Sequence, residues 1–375
     1  MPHAEPTSAR TSNSADATAD KPAGTLLLGP GPSPVAPRIM RALHLPVLSH
    51  LDPEMMAILD DIRVRLARTM RAPDGAFSFA VSGTGTAGME TAVANFTHPG
   101  TRAVAVVNGY FGDRLAQMLQ RYGAEVTRVD VEWGRACDPA RLEAALAGGA
   151  DLVTMVHAET STGVLNPVAD LCRIASARGA RTIVDAVTSL GAHPVDAAAW
   201  GADAVYSCSQ KGLGAPSGLA PVSIRLEGEG SRSFYLDLRL LHDYWVNRKY
   251  HHTISAPLIY ALREALVTVE EEGLEARWAR HRATHLALVE ALGALDLELL
   301  PPAAERLWSL NAVKVPDGID EAGVRKALLQ EFQIEIGAGL GPLAGKIWRV
   351  GLMGSGSTVE NVQRLADALA TLLRR

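Results

Sequence analysis

The stretch Asp203-Ala204-Val205-Tyr206-Ser207-Cys208-Ser209-Gln210-Lys211-Gly212 carries a short apolar run straight into a lysine. Upstream, Thr182-Ile183-Val184 runs in the same way into Asp185. Both runs are short and mostly apolar, as strands buried on both faces are. A lysine just beyond one strand and a carboxylate at the end of another suit one recurrent chemistry: an imine between the lysine and an aldehyde cofactor, with the acid holding the cofactor's pyridinium nitrogen. That cofactor would be pyridoxal 5'-phosphate. Taken singly, Lys211 reads more often as a solvated loop lysine and Asp185 as a helix cap, so the weight falls on what surrounds them.

Outward from this pair, short apolar runs alternate with amphipathic stretches between about residues 78 and 225. The alternation predicts an α/β layer fold with mostly parallel, buried strands covered by helices. The expected strands are Ala103 to Val107, Leu152 to Val156, Thr182 to Val184, Ala204 to Tyr206 and Pro221 to Ile224, with a further apolar stretch at Phe77 to Val81. One helix is read from Asp113 as its cap, with Leu115, Met118, Leu119 and Tyr122 on one stripe and Gly123 as its stop. Another runs from Pro167 to Arg178 and stops at Gly179.

From Pro257 to about Leu292 the pattern is helical, with Gly273 as the break between two helices. Strand, helix, strand and helix then follow at Ser309 to Val315, Asp320 to Phe332, Ile347 to Val350 and Thr358 to Leu373. The expected organisation is a tail over residues 1–24, a large domain over 25–273 and a smaller C-terminal α+β domain over 274–375. The tail is rich in Ala, Ser, Thr and Asp without helical periodicity, which predicts disorder.

Several strand ends could carry chemistry. Ser82-Gly83-Thr84-Gly85-Thr86-Ala87-Gly88 opens a helix with small residues, so free amides and the helix dipole favour a phosphate there; a plain tight connection is the competing reading. It matches neither the dinucleotide fingerprint nor a Walker loop. Asn108-Gly109-Tyr110-Phe111-Gly112 follows a strand, where an aromatic ring can stack on a planar ligand or simply pack in the core. His157 to Gly163 occupies the same kind of place, and a hydroxyl there could bond a ring's phenolic oxygen, although such a cluster is more often a turn. In Lys346-Ile347-Trp348-Arg349-Val350-Gly351, alternation puts Arg349 and Ile347 opposite Trp348 and Val350. A guanidinium fork suits a substrate carboxylate, although a surface salt bridge is the commoner use. Tyr250-His251-His252-Thr253 is not read as a metal site, because adjacent histidines on an extended chain point apart and no third ligand stands nearby.

Bulk properties narrow the class. A formal net charge of −5 and 47% hydrophobic residues over 375 residues describe a globular chain with no basic bias toward nucleic acid or membrane surfaces. Three cysteines, Cys137, Cys172 and Cys208, make neither a CxxC pair nor a disulfide framework, which predicts a reducing compartment. No apolar run reaches the roughly 18 residues of a membrane helix, so the cytoplasm is the expected location.

Read in order, these residues resemble the class V aminotransferases, and within them the alanine-glyoxylate and serine-pyruvate aminotransferase group. The resemblance runs from Leu27-Leu28-Gly29-Pro30-Gly31-Pro32-Ser33 to the terminal helix, through Ser82 to Thr86, Glu159 to Gly163, Val184-Asp185, Ser209-Gln210-Lys211, Tyr250 to Thr253 and Arg349-Val350-Gly351-Leu352. It implies the pyridoxal-phosphate transferase fold type I, with a mostly parallel sheet of the seven-stranded type. It also implies Lys211 as the imine lysine, Asp185 on the pyridinium, and Thr84, Gly85, Thr86 and Gln210 on the phosphate. Phe111 would stack on the ring where mammalian-type members carry tryptophan, and Thr86 stands where they carry histidine. Thr160 would meet the phenolic oxygen, Arg349 the substrate carboxylate, and backbone at Gly31 would line the substrate pocket.

Members of the family are homodimers, so Tyr250 and Thr253 would complete the partner's phosphate site. The expected reaction is ping-pong transfer of an amino group from alanine or serine to glyoxylate or pyruvate. The alternative is another class V enzyme, a phosphonate aminotransferase or a cysteine desulfurase-like lyase.

Overall fold

The computed structural model describes residues 24–226 and 230–374. Apart from Gly24, the expected tail lies outside them. Seven strands form the main sheet: β1 (Phe77–Ser82), β2 (Arg102–Val107), β3 (Glu125–Asp130), β4 (Leu152–Val156), β5 (Arg181–Asp185), β6 (Ala204–Tyr206) and β7 (Leu219–Ile224). Their order is β1-β7-β6-β5-β4-β2-β3. All neighbours are parallel except β7, which is antiparallel to both β1 and β6. The expectation of a mostly parallel sheet therefore holds, with Pro221 to Ile224 on the one reversed strand.

Because β7 reverses between them, β1 and β6 run in the same direction. The carboxyl ends of β1 to β6 consequently share one edge of the sheet, the edge at which open α/β sheets bind ligands. Every residue of β4, β6 and β7 is buried, as helices on both faces require. The edge strand β3 is different: only Val129 of its six residues is buried. Its sequence Glu-Val-Thr-Arg-Val-Asp reads as polar and carries no apolar run, which is how edges of sheets are protected from unwanted pairing.

The covering helices include α1 (Pro53–Thr69), α2 (Gly85–Phe96), α3 (Tyr110–Arg121) and α4 (Val168–Ala177). The expected start of α3 at Asp113 is corrected. The helix begins at Tyr110, and the Asp113 carboxylate instead accepts from Gln117 Nε2 at 2.6 Å and Arg128 Nη1 at 2.7 Å. Helices α5 (Ala256–Glu272) and α6 (Leu274–Gly293) flank Gly273, whose φ of +81° breaks the run between them.

Beyond α6, strands β8 (Leu310–Lys314), β9 (Gly337–Ala338) and β10 (Ile347–Gly351) make a three-stranded antiparallel sheet with β10 central. Helices α7 (Glu321–Phe332) and α8 (Val359–Leu373) join α6 around a second apolar cluster that includes Trp348, Val350, Leu365 and Leu369. Trp348 and Val350 enter it as the alternation predicted, and Trp348 Nε1 donates to the Glu321 carbonyl at 3.2 Å. Leu26–Leu27 pairs in parallel with Ile334–Glu335, so the arm that carries Gly31 is stitched to this second cluster.

Candidate active site

Asp185 ends β5 and Tyr206 ends β6, and the parallel register sets the two residues side by side. The Tyr206 hydroxyl donates to Asp185 Oδ2 at 2.6 Å, and the Val187 amide donates to Oδ1 at 2.8 Å. Burial pushes the Asp185 carboxyl up to about 7, the nearby Glu159 charge adding to it and Lys211 opposing it. A buried carboxylate held by two donors, with its charge still uncompensated, suits a cationic ring nitrogen.

Lys211 follows β6 by the loop Ser207 to Gln210. Its Nζ donates to the Pro30 carbonyl, and burial lowers its pKa, which favours the neutral, nucleophilic amine. Gly31 makes room for it. At φ +114° a Cβ on Gly31 would lie 2.7 Å from Lys211 Cδ and Cε and 2.8 Å from Nζ. The loop is held from the other side by Ser33, whose amide donates to the Gln210 carbonyl at 2.9 Å and whose hydroxyl donates to the Lys211 carbonyl at 2.8 Å.

A cleft of roughly 610 Å³ of empty space opens between these groups and the start of α2. Gly31, Thr84, Gly85, Thr86, Phe111, Asp185, Gln210 and Lys211 all line it. No side chain caps the first turn of α2, so its leading amides are free for an anion. The Gln210 side-chain oxygen is buried with no partner; with the amide turned, its N–H2 group takes that place and can donate to a bound phosphate. A Cβ on Gly85 would press against Cys208 Cβ and Val187 Cγ2 at 3.2 Å, so the turn has little room for more than glycine. The residues present thus fit pyridoxal phosphate: an amine, a carboxylate for the ring nitrogen, an aromatic ring and an uncapped helix start around one cleft.

Phe111 sits in the first turn of α3, and that turn is capped from a distance. The buried Glu159 carboxylate accepts from the amides of Phe111 and Gly112, both at 3.2 Å, and from the Ser161 hydroxyl at 2.5 Å. The Ser161 hydroxyl oxygen accepts from the Tyr110 amide at 2.9 Å. Thr160, between them, hydrogen-bonds the Thr188 hydroxyl with its own and lends its carbonyl to Arg349 Nη1 at 3.4 Å.

Arg349 is buried, and its Nε donates to the Ala338 carbonyl at 2.6 Å. Burial pulls its pKa down to about 10, the charges of Glu159 and Glu335 opposing that, so it stays cationic at neutral pH. Among the described residues no carboxylate lies within ion-pair distance of it. This corrects the reading of a surface salt bridge: the guanidinium is buried and bonds only backbone oxygens, with donors left over.

Tyr250 and Thr253 do not line this cleft. Both are exposed, Tyr250 at 62%, on a segment tied down by a hydrogen bond between His252 Nε2 and the Ser82 hydroxyl at 2.8 Å. The neighbouring histidines do not point apart as expected, since their Nδ1 atoms lie 2.8 Å from each other. Sequence reasoning passed over Tyr206 and Thr188 because neither is marked by spacing; strand register and loop packing bring them in. Arg114 also lines the cleft and was equally silent in the sequence.

Comparisons with known proteins agree with this geometry. The family described as Aminotransferase class-V matches residues 40–365. The (S)-ureidoglycine–glyoxylate transaminase of Bacillus subtilis is 34% identical over 93% of this chain and 90% of its own length. The alanine–glyoxylate aminotransferase of Oryctolagus cuniculus is 36% identical over 93% of this chain and 92% of its own. Among solved structures, the alanine–glyoxylate aminotransferase of a Nostoc species superposes with a TM-score of 0.90 at 42% identity, over 94% of this chain and 96% of that one. The chain belongs to the class V aminotransferases, pyridoxal-phosphate enzymes of fold type I.

Proposed function

We propose that the enzyme transfers the amino group of a small L-amino acid, alanine or serine, to glyoxylate, with pyruvate as a second acceptor. The observation that carries this reading is Arg349: a buried guanidinium without a carboxylate partner, beside the lysine's cleft, whose charge calls for a substrate carboxylate. The names of the relatives, glyoxylate transaminases in each case cited, support the acceptor.

Lys211 would hold the cofactor between turnovers, and the cofactor would supply an electron sink for the bond broken at the substrate's α-carbon. Asp185 holds the ring-nitrogen proton in place. Thr84, Gly85, Thr86 and Gln210 hold the phosphate, Phe111 flanks the ring, and Thr160 meets the phenolic oxygen. Freed when the substrate's amine takes its place on the cofactor, Lys211 Nζ, neutral through burial, would take the proton from the α-carbon. Arg349 fixes the substrate carboxylate while backbone at Gly31 closes the pocket. The enzyme works as a homodimer in which Tyr250 and Thr253 of each chain complete the other's phosphate site; their exposure here supports this. We place the boundary between large and small domains at Gly273, and the enzyme in the cytoplasm, in keeping with three free cysteines.

A desulfurase reading is disfavoured by Cys208, the thiol nearest the lysine. It is buried, and burial pushes its pKa up to about 12, whereas sulfur chemistry needs an accessible thiolate. The Bacillus relative raises a second donor, (S)-ureidoglycine. Steady-state assays with glyoxylate and alanine, serine or (S)-ureidoglycine in turn decide among the donors. The proposal expects alanine or serine to give the largest kcat/KM; a larger value for (S)-ureidoglycine, or no turnover with any of the three, overturns it.

A further inference from the structure

One cation in the cleft has no place in this scheme. Arg114, in the second turn of α3, lines the cleft with Lys211. Its Nη1 donates to the Thr86 hydroxyl at 3.1 Å, and its guanidinium lies 5.1 Å from the centre of the Phe111 ring and 5.2 Å from that of Tyr110. It reaches no carboxylate among the described residues. The adjacent Asp113 is engaged by Arg128, which also pairs with Asp130. A guanidinium carries five N–H donors in a rigid fork, and Thr86 occupies one of them. A half-solvated arginine left without an acid beside an uncapped helix start is complementary to a doubly charged oxyanion at that place.

We propose that Arg114 is a further anchoring residue for the cofactor's phosphate, lending its charge and free N–H groups to the anion while it fixes the Thr86 hydroxyl and the Phe111 ring. The inference rests on the phosphate placement proposed above. It adds a charged ligand to a set that otherwise holds a dianion with amides, hydroxyls and a neutral side-chain amide. A planar fork also explains why lysine is a poor substitute: an ammonium could not offer parallel N–H groups to the Thr86 hydroxyl and to the anion at once.

The test is a binding titration of the apo-protein, followed by quenching of its tryptophan fluorescence, with pyridoxal 5'-phosphate and separately with unphosphorylated pyridoxal. Wild type, R114A and R114Q are compared, and far-UV circular dichroism melts establish that each is folded. R114A is expected to weaken pyridoxal 5'-phosphate binding by about 10- to 100-fold, the range for a lost hydrogen bond to a charged group. Binding of pyridoxal should stay within about twofold of wild type, because the phosphate contact is the one removed. R114Q keeps a donor for Thr86 but no charge, and should lose affinity in the same selective way; it carries the test should R114A fail to fold. Unchanged affinity in either variant, or an equal loss for both compounds, overturns the proposal. Wild-type protein that does not distinguish the two compounds would instead sink the phosphate site itself.

Discussion

Burial acts in opposite directions on the two central residues, holding Lys211 toward its neutral form and Asp185 toward its protonated form. For Asp185 this has a consequence that can be measured in the apo-protein. Burial raises the carboxyl from its ordinary value of 3.8 to about 7, so between these the folded chain keeps a proton that the unfolded chain loses. The stability this contributes is present below pH 3.8 and is lost as pH rises through 7. Asp185→Asn removes the titration. In urea melts between pH 5 and 8 the apo variant should gain on the apo wild type as pH rises, and a pH-independent difference would contradict the burial account. For Lys211→Ala, borohydride should no longer fix the cofactor to the chain, whereas in wild type it fixes it to the peptide containing Lys211; a modified peptide elsewhere would reassign the lysine. Gly31→Ala puts a methyl group within 2.8 Å of the Lys211 amine and forces a side chain into φ +114°. It should leave the fold intact yet cut turnover at least about tenfold, as misplacement of a catalytic group by a fraction of an ångström does.

At the scale of elements, α3 shows what a linear reading can and cannot recover. Its apolar stripe was legible in Leu115, Met118, Leu119 and Tyr122, because 3.6-residue periodicity is a local property. Its start was not, because the cap is Glu159, which comes from a different strand end and leaves no mark near Tyr110. The same distinction explains the site. Lys211, Asp185 and the turn at Thr84 to Thr86 stand at strand ends and could be read from apolar runs that stop abruptly. Tyr206 on Asp185, Thr188 on Thr160 and Arg114 on Thr86 depend on strand order and loop contact, which no spacing encodes. Strand β3 was missed for a related reason: a polar edge strand lacks the apolar run by which its neighbours are recognised. The distant cap yields its own prediction. Glu159→Ala orphans the amides of Phe111 and Gly112 and should cost about 2 to 6 kcal/mol by urea denaturation, at about 1–3 kcal/mol for each unsatisfied group. Glu159→Gln, which retains an acceptor oxygen, should lose less. Equal losses for the two would mean that the acceptor at position 159 is not what holds the helix start.

For the whole molecule, the sheet gathers six strand ends at one edge, and the arm before Gly31 and the strand β10 bring Gly31 and Arg349 to it from the flanks. Arg349→Ala should raise KM for every carboxylate substrate by about 10- to 100-fold while the cofactor stays bound; loss of the cofactor instead would remove Arg349 from substrate binding. The proposed exchange of Tyr250 between subunits can be tested by complementation. A hybrid of Lys211→Ala and Tyr250→Ala subunits contains one site with both native residues, so mixing the two inactive or weakened proteins should restore activity above either parent. No gain on mixing would keep Tyr250 within its own subunit. The reaction itself is tested most directly by following nitrogen. With 15N-alanine and glyoxylate, purified enzyme holding pyridoxal phosphate should put the label into glycine in a one-to-one ratio with the pyruvate released, and without glyoxylate it should release about one pyruvate per subunit and stop. Label appearing as ammonia, or pyruvate forming without limit in the absence of glyoxylate, would contradict amino transfer as the chemistry of this site.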